Sequence, residues 1–152
     1  MKKSTLLLCT LAIFVFTLFN RAQAQITMIV HKSNSSNNLT LDELKNIYLG
    51  KVTTFSNNKR VVLAEYAPLK KRFYKVVLNK TIDKVKRYWI SFVLSGKSAN
   101  PPIEFKDVDE IKKFVSKNPG AICFIDISDI GKDVKVLTIE GKEPGEAKYP
   151  LK

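Results

Sequence analysis

An α/β layered domain with a largely parallel sheet flanked by helices is the fold class this sequence predicts. Strand-like apolar runs alternate with segments of helical apolar spacing along the chain. Residues 121–127 are apolar at nearly every position, as in a strand covered on both faces of a sheet. Each helical segment also carries its own start or stop residues.

Residues 26–30 read as the first strand, with Ile26, Met28, Ile29 and Val30 apolar, and residues 31–38 as a polar loop rich in Ser and Asn. A helix begins at Thr40, because Thr40 followed three residues on by Glu43 is a capping box. Its apolar face is Leu41, Leu44, Ile47 and Tyr48, and Gly50 suits a left-handed stop. Residues 60–64 form a second strand around Val61, Val62 and Leu63. Pro68 fits the first turn of a second helix whose buried stripe is Leu69, Phe73, Val76 and Val77. Thr81 caps a third helix with Ile82, Val85, Trp89, Phe92 and Val93 inward, ended by Gly96. Asn100, Pro101 and Pro102 read as extended loop. A fourth helix opens at Asp107 with Val108, Ile111, Phe114 and Val115 inward, and Asn118-Pro119-Gly120 stops it. Residues 134–139 form the last strand before a polar tail.

Ahead of this domain, residues 1–24 read as a cleavable secretory signal. Lys2 and Lys3 precede an uncharged apolar run at residues 6–19, and Ala22-Gln23-Ala24 offers small residues where a signal peptidase cuts. The run is shorter than the ~20 residues a spanning helix needs. The expected mature domain is then residues 25–152, periplasmic or secreted, and large enough for one core. Removing Lys2, Lys3 and Arg21 leaves +9 of the formal +12 charge. A basic exported domain meets anionic solutes, polyanionic envelope surfaces or an acidic partner protein, and export argues against nucleic acid. Widely spread lysines also read simply as solvated helix faces.

Catalysis has little support. His31, the only histidine, ends the first strand, and Cys123 lies in the predicted core strand as a small buried hydrophobe. No nucleophile elbow, phosphate-cradling Gly-rich loop or metal-spaced cluster is present, and no cofactor is implied. Asp126 and Asp129 shape the turn after their strand rather than bind metal.

Three segments carry a resemblance. LTLDELKNIYLGK at residues 39–51, VSKNPGAI at 115–122, and VKVLTIEGKEP at 134–144 with YPL at 149–151 occur in the order and spacing found in phosphate ABC-transporter substrate-binding proteins. The sequence resembles a short, single-lobe member of that type 2 periplasmic binding class. The resemblance implies a single periplasmic-binding-protein-like lobe and a membrane permease, sensor or other envelope protein as partner. In full-length members the second lobe grips phosphate with an Arg and then Ser-Gly-Thr at a helix N-terminus. Here Ala64 stands at the Arg position and Pro68, Leu69 and Lys70 at the Ser-Gly-Thr positions. Pro68 lacks an N–H, and Glu65 adds a negative charge.

The expected function is therefore a non-catalytic binding or accessory module with the phosphate grip lost, taking phosphate or another small anion weakly, or a partner protein. The alternative is a genuine phosphate binder that completes its cleft as a homodimer. Ligands of α/β sheets gather at the carboxyl ends of strands. Two places fit: the 31–38 loop with Lys32, Ser33, Ser35 and Ser36, and the 65–71 turn with Tyr66, Lys70 and Lys71.

Overall fold

The structure is a computed structural model that describes residues 25–152. The segment read as a signal peptide lies outside the described residues. The six strands are β1 (Ile26–His31), β2 (Asn38–Leu39), β3 (Val62–Tyr66), β4 (Ile103–Phe105), β5 (Ala121–Asp126) and β6 (Val134–Ile139). They form one sheet in the order β2-β6-β1-β5-β3-β4. The helices are α1 (Leu41–Tyr48), α2 (Ala67–Phe73), α3 (Ile82–Leu94) and α4 (Val108–Lys117).

The sheet is mostly parallel, as the sequence predicts. Pairs β2–β6, β3–β5 and β3–β4 are parallel, whereas β1 runs antiparallel to both β5 and β6. Strand direction leaves no mark on a run such as β1, whose residues are buried on both faces whichever way it points. Two pieces of sheet escape the sequence pattern. β2 starts at Asn38, the last residue of the loop expected at 31–38, and pairs Leu39 with Ile139, and β4 adds three residues at the opposite edge. Both are too short to show a period of two.

Strand alternation sends Ile26, Met28, Val30, Ile122 and Phe124 to one face, beneath α1, α2 and α3. Ile29, Cys123 and Ile125 face the other side, where Ile111 and Val115 of α4 cover them. At the centre of the first face Phe73 stacks on Phe124, with ring centroids 4.0 Å apart and planes 11° from parallel. Tyr48 meets Phe73 edge-on at 4.6 Å and donates its hydroxyl hydrogen to the Ala64 carbonyl at 3.0 Å. That bond satisfies a polar atom which would otherwise be costly to bury.

The capping box at α1 forms as read: the Glu43 N–H donates to Thr40 Oγ1 at 3.1 Å, and the Thr40 N–H donates to Glu43 Oε2 at 2.8 Å. Gly50, at φ +66°, turns the chain out of α1, and a Cβ there would sit 2.8 Å from Trp89 Cη2 and 2.9 Å from Ala99 Cβ. Glycine is required on both counts.

The second helix departs from its predicted stripe. After Phe73 the backbone opens into a π-helical turn, Tyr74–Leu78. This wider turn buries Phe73 and Tyr74 together and moves Val76, expected inward, to a half-buried position. The third helix departs too. Val85, Trp89 and Phe92 are buried as predicted, but Ile82 and Val93 are exposed.

Candidate functional site

Because β1 opposes its neighbours, the two loops proposed from the sequence lie at opposite ends of the sheet. The register pairs Val30 with Ile122 and Ile26 with Asp126, so β1 ends beside the start of β5. β3, parallel to β5, ends beside that strand's finish. Lys32, Ser33, Ser35 and Ser36 are therefore not brought together with Tyr66, Lys70 and Lys71. In the first loop the serines are engaged within the protein. Ser33 Oγ lies 2.8 Å from His31 Nδ1, Ser35 Oγ lies 2.8 Å from Ser56 Oγ, and the Ser36 N–H donates to Asn34 Oδ1 at 2.9 Å.

The end of β3 carries denser chemistry. Alternation along this strand puts Glu65 on the face of Leu63, under the helices, and Tyr66 on the face of Ala64. Glu65 is only 5% exposed. Its carboxylate accepts from the Tyr74 hydroxyl and, at 3.1 Å, from Lys70 Nζ. Lys70 Nζ also pairs with Glu104 of the edge strand. The β3–β4 register sets Glu65 directly against Glu104, so two carboxylates stand side by side with one ammonium between them. Burial pushes the Glu65 carboxyl above its usual range, against the bonds from Tyr74 and Lys70 that pull it down. Burial pulls the Lys70 ammonium down, but its bonds to Glu104 and Glu65 prevail and hold it above its ordinary value. Burial and the neighbouring Glu65 push the Tyr74 phenol well up.

Tyr66 is half-buried at the sheet end and packs against both core clusters, and Lys71 is exposed on the outer side of α2. Asp126 acts as the turn residue expected, accepting from the Ser128 N–H at 2.9 Å. Cys123 is fully buried, and burial pushes its thiol well above its ordinary value. That leaves little thiolate for nucleophilic chemistry.

A groove of about 450 Å³ opens beside the cluster, lined by Glu65, Lys70, Tyr74, Trp89, α3 side chains and Pro101-Pro102. Sequence reasoning missed Tyr74 and Glu104 as members of the cluster. It also placed Glu65 in the turn after the second strand, because it ended that strand two residues early. The signal available was parity: Leu63 and Glu65 share a face only if the strand continues to Tyr66.

No family model matches the sequence. Solved structures do match. A phosphate ABC transporter substrate-binding protein of Clostridium perfringens, with bound phosphate, superposes at TM-score 0.64 and 23% identity over 80% of this chain and 47% of its own. The fold is periplasmic-binding-protein-like. PstS of Borrelia burgdorferi agrees at TM-score 0.66 and 16% identity, over 84% of this chain and 54% of its own. An ABC-type phosphate transport receptor of Vibrio cholerae agrees at TM-score 0.56 and 20% identity, over 80% and 48%. At these identities the likeness is one of fold. The chain spans about half the length of the periplasmic-binding-protein-like structures it matches.

Proposed function

We propose that the protein is an exported, non-catalytic binding or accessory module in which the phosphate grip of this fold has been replaced by an internal ion-pair cluster. One observation carries the reading. Lys70, in the helix that follows β3, is held between Glu65 and Glu104. An arriving phosphate would meet two carboxylates against one ammonium and would have to displace hydrogen bonds already made. Pro68, in the first turn of α2, offers no N–H to an anion. The names of the structural neighbours point to an ABC transporter setting, and a membrane permease, sensor or other envelope protein is the partner class we infer. Among the described residues no helix is long and apolar enough to cross a membrane.

Calorimetric titration of the exported protein with phosphate and sulfate, beside its mass in solution, tests the reading. Phosphate should bind no more tightly than about millimolar, worth only ~4 kcal/mol, and more weakly in salt. Micromolar affinity in a monomer, abolished by Lys70→Ala, would overturn it. Micromolar affinity confined to a dimer would favour the alternative, in which two copies complete one phosphate cleft.

A further inference from the structure

One side of α3 exposes apolar residues among the charged ones. Ile82, Ile90, Val93 and Leu94 are 37%, 52%, 50% and 82% exposed. Ile90, Val93 and Leu94 adjoin at i, i+3 and i+4, and Ile82 lies two turns away on the same side, with Lys86 between. Single exposed apolar residues are ordinary, but a contiguous stripe is not. The stripe is one wall of the 450 Å³ groove, and Pro101 and Pro102 help to close it. Trp89 also lines the groove, and its buried indole N–H has no hydrogen-bond partner among the described residues.

A second hollow of about 610 Å³ adjoins this groove and shares Ile82 with it. Lys71, Lys75, Lys80 and Lys84 line it, with Asp83 as its single carboxylate. Four lysines thus ring one concavity of small-molecule size, while exposed apolar side chains, with Glu65, Lys70 and Lys86 also present, line its neighbour. A second copy of this chain would bring like charge against like charge. A flat bilayer would not enter a concave groove, and a peptide strand would alternate its side chains rather than separate tail from head.

We propose that this surface binds a monomeric anionic amphiphile. The alkyl tail lies along Ile90, Val93 and Leu94, and a phosphate or carboxylate head sits among Lys71, Lys75, Lys80 and Lys84. The proposal goes beyond the reading above: Glu65 and Lys70 line the same groove, but the side chains assigned to tail and head lie outside the Glu65–Lys70–Glu104 cluster, so it does not depend on that reading.

The chain's single tryptophan lines the groove, so its emission reports occupancy. The exported protein is titrated with dodecyl phosphate below its micelle concentration. A saturable change in tryptophan emission is expected, at least ten-fold weaker for dodecyltrimethylammonium and absent for inorganic phosphate. The double variant Lys75→Glu/Lys80→Glu and, separately, Leu94→Ser should each weaken dodecyl phosphate at least five-fold. Both change exposed or half-exposed positions, and unchanged thermal unfolding checks that the fold survives. Equal binding of the cationic amphiphile, or unchanged binding by both variants, overturns the proposal. So does tighter binding to vesicles of anionic phospholipid, or to a synthetic amphipathic Leu/Glu peptide, than to the monomeric amphiphile.

Discussion

The Tyr74 hydroxyl donates a hydrogen bond to the Glu65 carboxylate, across the space between the π-helical turn and the end of β3. Nine residues separate the two in sequence. The π turn makes the meeting possible, because it buries Tyr74 beside Phe73 instead of rotating it to solvent.

This pair sets a pH dependence. Glu65 is shifted upward by burial, so the folded state holds its proton more tightly than the unfolded chain does. Its contribution to stability is then fully present below the unfolded value of about 4.3. It is lost as pH rises through the higher folded value. Urea midpoints measured across the acidic range should show this downward slope with rising pH, and Glu65→Gln should remove it. A midpoint in the wild type that rises through the same window would contradict the assignment once the other carboxylates are matched by the Gln variant. Tyr74→Phe should cost about 1.5–3 kcal/mol near neutrality, the range for a bond to a charged group, and less in acid.

Phe124 is fully buried and stacks on Phe73. Phe124→Ala should cost roughly 3–5 kcal/mol, as truncation of a buried aromatic does. Equilibrium denaturation measures it. A loss below about 1 kcal/mol, the size of an ordinary substitution, would remove this strand from the centre of the core.

Gly50→Ala meets two penalties. The left-handed backbone costs about 1–2 kcal/mol for a residue with a side chain. Crowding against Trp89 and Ala99 adds about 1–3 kcal/mol. The same denaturation measurement should find a combined loss well above that of Gly96→Ala, which shares the positive φ but would place its Cβ with nothing within 4 Å. Equal losses at both glycines would mean that the packing contact contributes nothing.

Processing is open to mass spectrometry. Protein recovered from an exporting host should begin at Gln25 or its cyclised form, as the Ala22-Gln23-Ala24 site implies. A full-length chain retained in the membrane fraction would refute cleavage.

Local signals were legible in the sequence because they are local in cause. The Thr40–Glu43 box, the Thr81 cap, the Asp107 start and the stop at Gly50 each depend on backbone groups a few residues away, and each forms where it was read. The buried run at 121–127 likewise marked the sheet's interior, since only a doubly covered strand avoids polar residues on both faces. Three things needed the tertiary structure. The direction of β1 is set by which neighbours it pairs with, and it moves the Lys32–Ser36 loop to the far end from Lys70. The burial of Glu65 depends on Tyr74 and Lys70 arriving from other elements to donate to a carboxylate that the sequence reading places in a turn. The exposure of Ile82 and Val93 depends on no other described element packing over that side of α3, and helical spacing says which residues share a face but not whether another element covers it.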